Sequence, residues 1–281
     1  MYHKLARGHA TAYLRQLTDH DRVESWFAGR PCSRVLTSFE ESAKSKKPGR
    51  VIRRLTPLLR PTFTRPVVGV WMRDFKLVLA EAISAAPEVD VVDLSDADRP
   101  LYQERGAFLS NLFLNDQEDD CSATMLTLAN ISHHALTRLL ERELAIPKTI
   151  GREVRNILSI ARNMAMAFDS TDLDPEDTYA FLAPYREGAL PIVTMSVRAG
   201  QGDRNRRRPR PVMSVRTFLD SSMLGRSDHE RMGGMDTAMT AIADEAEPQR
   251  QMARWMEVNA RPWSHKAAAL AEDDRRAKVG S

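Results

Sequence analysis

The stretch SATMLTLANISHHALTRLLEREL (Ser122–Leu144) changes its period half-way along, and that change decides the fold. Up to Ile131 the residues alternate, with Met125, Thr127 and Ala129 on one side and Leu126, Leu128 and Asn130 on the other. A period of two is that of a strand. From Ser132 onward, Leu136, Leu139 and Leu140 recur at helical spacing. Ser132 stands at the join, where its hydroxyl suits the N-cap of a helix.

Upstream, GAFLSNLFL (Gly106–Leu114) has the leucines and aromatics of a second strand, and NDQEDDC (Asn115–Cys121) is a polar, acidic turn between the two. The pattern predicts an antiparallel hairpin running directly into a helix. Downstream, the helix ends near Ala145-Ile146-Pro147 and Thr149 is positioned to cap another. That helix carries an apolar stripe of Ile150, Val154, Ile157, Leu158, Ala161, Met164, Ala165 and Phe168. Glu141, Glu143 and Glu153 are expected as helix-surface charges. After an acidic loop, DSTDLDPEDT, come three strand candidates: TYAFLAP, LPIVTMSV and PVMSVRTFL. The tail from Asp228 to Ala260 has the composition of two helices, split near Pro248.

Towards the N-terminus, residues 9–28 are expected to be helical and closed by Gly29-Arg30-Pro31. Ser42–Arg50 is expected as an exposed basic connector, and Val51–Thr64 as irregular or briefly helical. Trp71, Phe75, Val78 and Ala82 make an apolar row that predicts an amphipathic helix over Val70–Ala85, stopped by Pro87. VDVVDL (Val89–Leu94) is a short strand candidate. Together these elements predict an α+β fold: an antiparallel sheet of about five strands with helices packed on it, plus N- and C-terminal helical extensions. The division expected is 1–65 as a basic helical extension, 66–225 as the core domain and 226–281 as a C-terminal extension.

The chain has 281 residues, with 42% hydrophobic and 28% charged, ordinary values for a globular protein. Its charge of +3 is the small difference between 41 basic and 38 acidic residues, so local distribution carries the information about partners. Two cysteines far apart, Cys32 and Cys121, give no disulfide framework. The N-terminus has no apolar core of a signal peptide, and no apolar run has the length of a membrane span. A cytoplasmic protein with no membrane association is expected, with signal-less export left open. No phosphate-binding loop consensus is present, and no cofactor or metal is expected.

Two features carry chemistry. On the helix that follows Ser132, His134 lies opposite the leucine face, Arg138 is one turn on, and Glu141 continues the row. The positive end of the helix dipole favours the neutral imidazole that a general base needs, and arginine is suited to clamp a phosphate. The alternative is the ordinary polar face of an amphipathic helix. The second feature is RAGQGDRNRRRPR (Arg198–Arg210), with Arg198, Arg204, Arg206, Arg207, Arg208 and Arg210 against a single aspartate. It lacks aromatics for base stacking but suits a phosphate backbone; the alternative is a solvated loop.

The pattern formed by Ser132, His134, Ala135, Arg138, Glu141 and Arg142 resembles a helix motif of the barnase/colicin/RelE-like bacterial ribonuclease toxins, and VRTFL resembles a strand of the same superfamily that carries an Arg or Thr, here Arg216 and Thr217. The resemblance covers about a dozen residues. It implies a metal-independent ribonuclease in which His134 is the acid/base, Arg138 holds the scissile phosphate, and Arg216 with Thr217 completes the site. The other reading is a non-enzymatic module that binds nucleic acid or a protein partner through the arginine-rich loop.

Overall fold

The computed structural model describes residues 3–44, 47–72, 76–89, 103–117, 120–174, 177–195, 211–233, 235 and 246–262. In chain order the elements are α1 (His3–Gln16), β1 (Thr18–Asp19), α2 (His20–Ala28), α3 (Arg30–Ala43), α4 (Pro48–Leu59), β2 (Arg65–Met72) and β3 (Lys76–Val89). There follow β4 (Gln103–Gln117), β5 (Asp120–Ser132), α5 (His133–Glu141), α6 (Ile150–Phe168), β6 (Tyr179–Tyr185), β7 (Gly188–Met195) and β8 (Val212–Val215). A 3-10 turn (Ser221–Met223), α7 (Arg226–Met232), α8 (Ala246–Asn259) and β9 (Arg261–Pro262) complete the described chain.

The fold combines helices with a sheet, as the sequence pattern predicts, but the sheet is neither five-stranded nor wholly antiparallel. Among the described residues it has nine strands, in the order β1-β3-β4-β5-β8-β7-β6-β9, with β2 paired on β3. β1 runs parallel to β3, and β5 runs parallel to β8. The reason for the difference is physical. Hairpins leave a local turn signature, whereas a parallel pair joins strands remote in sequence and leaves none.

The chain packs as two compact units, each assembled from separate segments. One comprises Ala12–Pro87 and Arg105–Thr127. Its core gathers Val23, Trp26, Phe39, Leu55, Leu59 and Leu112, with Trp26 and Phe63 edge-to-face at 4.8 Å. The helix expected over 9–28 is two helices, because Thr18 and Asp19 turn aside to pair with Ser84 and Ala85. Gly29-Arg30-Pro31 ends α2 but also begins α3, with Pro31 in its first turn. The connector expected over 42–50 is largely helical as well. Ser42 is buried in α3, and Pro48 opens α4 at the one helical position where a missing N–H costs nothing.

No helix spans Val70–Ala85: Val70–Met72 and Lys76–Ala85 belong to the antiparallel strands β2 and β3, with Trp71 opposite Leu77 and Met72 opposite Lys76. Ala80 through Ala86 are buried without interruption. Over Ala80–Ala86 both faces are covered, and such a stretch shows no alternation to mark it as a strand. The expected strands pair as neighbours β4 and β5 but run longer than predicted, taking in Asn115–Gln117 and Asp120–Cys121 of the expected turn; Ser110 and Thr127 share a 3.0 Å hydroxyl contact across them.

The other unit comprises Met1–Thr11, Glu88–Glu104 and Leu128–Ser281. Here β7 runs antiparallel to both of its neighbours, β6 and β8. Leu136, Leu139 and Leu140 of α5 are buried, as is the apolar stripe of α6. Thr149 stands at the N-cap of α6 as expected, but its hydroxyl makes no capping bond and pairs instead with the backbone of Ile146 in the preceding turn. Among the described residues the tail holds α7 and α8, and Pro248 lies within α8 and not at a break between helices. Of VDVVDL only Val89, the last residue of β3, falls within the described residues. None of the described helices is long and apolar enough to cross a membrane.

Candidate functional site at the carboxyl edge of β5 and β8

The parallel pair brings together the two segments that carry the sequence-derived site. Asn130 is in register with Ser214 and Ile131 with Val215, so the next residues, Ser132 and Arg216, leave the sheet side by side. The Ser132 hydroxyl joins them. It donates to the Arg216 carbonyl at 3.0 Å and accepts from the Ala135 amide at 3.0 Å, which makes it the N-cap of α5. One hydroxyl therefore fixes both the start of α5 and the exit of β8.

His134, two residues on, is exposed. His133, nearer the leucine face, is half-buried, and its Nε2 lies 3.1 Å from the Thr11 hydroxyl of α1. Arg138 is engaged by Glu141, its Nη1 donating to Oε2 at 2.9 Å. His3 of α1 bonds the other oxygen of Glu141. Burial pushes the Glu141 carboxyl up, but the His3 and Arg138 bonds and charges outweigh it and hold the group below its ordinary range. Eight residues separate His3 from Thr11 and eight separate His133 from Glu141, so this part of α1 runs antiparallel to α5. Arg142 pairs with Asp220 and reaches the Met223 sulfur at 3.3 Å. Arg216 and Thr217 are half-buried; the Arg216 amide donates to the Pro191 carbonyl at 3.1 Å, and its guanidinium lies 3.5 Å from the Ser214 hydroxyl. Arg198, Arg204, Arg206, Arg207, Arg208 and Arg210 lie outside the described residues.

One group escaped the sequence reading. Glu153, expected on the surface of α6, is buried, with 3% of its area exposed. Tyr185 donates to it at 2.6 Å, Arg186 reaches it at 2.9 Å and Arg152 at 3.4 Å. Burial works to raise its pKa, yet the Tyr185 bond and the Arg186 charge win, and the carboxyl is held below its ordinary range. Burial also pushes the Tyr185 phenol up, and the adjacent Glu153 charge pushes it further. The signal was present in the sequence: Glu153 stands three residues after Ile150 and four before Ile157, inside the apolar stripe.

In the other unit a Ser-His-Glu row occurs. The His20 Nδ1 is 2.9 Å from the Ser84 hydroxyl, and its Nε2 is 3.5 Å from Glu24. Ser84 has no exposed surface, so its oxygen is closed to a substrate and the row is structural. Among the described residues no group of three His, Cys, Asp or Glu side chains could hold a metal ion. No known protein family, no curated protein and no solved structure matches the chain.

Proposed function

We propose that this is a nucleic-acid-directed protein that binds the phosphate backbone, with binding alone favoured over cleavage. The observation that carries the reading is the antiparallel pairing of Met195 with Val212, the described residues on either side of the arginine-rich segment. The segment between those two residues carries six arginines against one aspartate, a sequence composition suited to a phosphate backbone. Cleavage is disfavoured by the state of Arg138. A clamp for a scissile phosphate must be available to it, whereas this guanidinium is already neutralised by Glu141.

The toxin-like ribonuclease remains the second reading, favoured by one observation. The Ser132–Arg216 bond holds the chain leading to His134 beside Arg216 and Thr217, where a phosphodiester could meet both. Labelled single-stranded RNA separates the two. Binding predicts a gel shift that weakens with salt, and no cleavage in either wild type or His134→Ala. Cleavage by the wild type that His134→Ala abolishes would overturn the binding-only reading and establish the enzyme.

A further inference from the structure

We infer that the outward face of α4 is a second phosphate-backbone contact, in the unit that does not contain α5. The inference rests on the nucleic-acid reading above but on a different set of side chains. Val51, Leu55 and Leu59 bury one side of α4. At 100° per residue, Arg50, Arg53 and Arg60 fall on the opposite side, and all three are exposed. Arg60 belongs with the other two because the C-cap keeps helical dihedrals, φ −52° and ψ −36°.

What distinguishes this face is that no acidic side chain among the described residues pairs with it. The chain has no aspartate or glutamate between Glu41 and Asp74. The two carboxylates on the neighbouring helix are taken by other cations: Glu41 by Arg54 at 2.8 Å and Glu40 by Lys44 at 3.5 Å. Among the described residues Arg50, Arg53 and Arg60 form no ion pair. An ordinary solvated surface intersperses both signs; a row of one sign repels itself and is relieved by a polyanion. At 1.5 Å per residue the three guanidiniums extend over roughly 15 Å of helix, a span that several successive phosphates of one strand occupy.

Charge and shape favour nucleic acid over an anionic membrane. A helix that lies on a bilayer needs apolar side chains directed outward. The large exposed apolar residues of α4, Ile52 and Leu58, flank the buried row on its two sides, and only the small ring of Pro57 stands among the arginines. The face offers cations without a large apolar anchor. Contact is therefore with phosphates and independent of base sequence.

The test uses the full chain and a labelled oligouridylate RNA of about 20 nucleotides, with binding followed by anisotropy at stepped salt concentrations. Changing Arg50, Arg53 and Arg60 together to Gln lowers the log–log salt slope by about 2 and weakens low-salt binding at least about tenfold. The same three changed to Lys keep the slope, because the charge remains. Each single Gln substitution lowers the slope by about 0.7, which covers the case of a poorly folded triple variant. Arg54→Gln, already paired with Glu41, changes little. If wild type binds and the Gln variants bind identically, the α4 face is refuted while the nucleic-acid reading stands. If wild type shows no salt-dependent binding, both fail. Loss of sedimentation with phosphatidylserine vesicles in the triple variant, with RNA binding intact, would make the face a membrane contact and also refute the inference.

Discussion

The Tyr185 hydroxyl donates a 2.6 Å hydrogen bond to the buried Glu153 carboxylate, joining the end of β6 to the first turn of α6 across 32 residues. A charge this deep is tolerated because its oxygens are bonded. Removing the donor in Tyr185→Phe leaves the carboxylate short of a partner and should cost about 1.5–3 kcal/mol, measured as a lower urea midpoint at unchanged slope.

The same pair sets a pH dependence. The folded Glu153 pKa is depressed, so its contribution is present above the unfolded pKa and is lost as pH falls through the folded one. Tyr185 is raised, so its contribution is complete below the free phenol pKa of about 10 and is lost as pH climbs through the folded value. Denaturation followed from mildly acidic to strongly acidic pH should show a stability loss in wild type that is smaller in Glu153→Gln. An equal loss in both would mean that other carboxylates carry it.

Among the described residues, two that are not glycine adopt left-handed dihedrals: Glu143 at φ 58° and Arg186 at φ 54°. Glu143 ends α5, where the Leu144 amide returns to the Leu139 carbonyl at 3.1 Å and the Glu143 amide to that of Leu140 at 3.3 Å, a closure that usually recruits glycine. Glu143→Gly should stabilise by roughly 0.5–1 kcal/mol, since relief of the left-handed penalty exceeds the added chain entropy. Arg186→Gly should destabilise despite the same relief, because it strips an ion-pair partner from buried Glu153. Thermal melts of the two variants should therefore shift in opposite directions.

Gly188 opens β7 beside the bridge between Ala189 and Leu219. A Cβ there would meet the Leu219 carbonyl oxygen at 2.1 Å and the Phe218 ring at 2.6 Å. Neither backbone nor packed ring yields cheaply, so Gly188→Ala should cost about 3 kcal/mol, read from chemical denaturation. A change within experimental error would mean that β7 shifts freely at this point.

At the α5 edge, Glu141→Gln removes the charge that neutralises Arg138. If the chain binds nucleic acid there, affinity should rise modestly and the salt slope should steepen by about 0.7, measured with the same labelled RNA. Ser132→Ala should cost about 1 kcal/mol as a lost cap and should also loosen the hold on Arg216.

Where a residue's fate depended on its near neighbours, the sequence was informative. The Ser132 cap, the α5 leucines and the α6 stripe all follow from spacing within a few turns. Glu153 was misjudged because glutamate is buried only when paired, and its partners Tyr185 and Arg186 lie some thirty residues away. The strand over Lys76–Val89 is hidden for a different reason: where its burial is described, Ala80–Ala86, both faces are covered, which erases the alternation that marks a strand. α4 was obscured by Pro48 and Pro57, which signal a break in most contexts but are accommodated at its start and near its end. Of the candidate site, the Ser132–Arg216 bond was out of reach, since no local pattern announces a parallel pair.

That pair also sets a timetable for the nascent polypeptide. Ala129 and Met213 align in register although 84 positions separate them, and a contact of that span closes late because a long loop must first be restrained. On the ribosome, α5 could form as soon as its own residues emerge, but the edge bearing His134 would stay half-built until β8 had been synthesised.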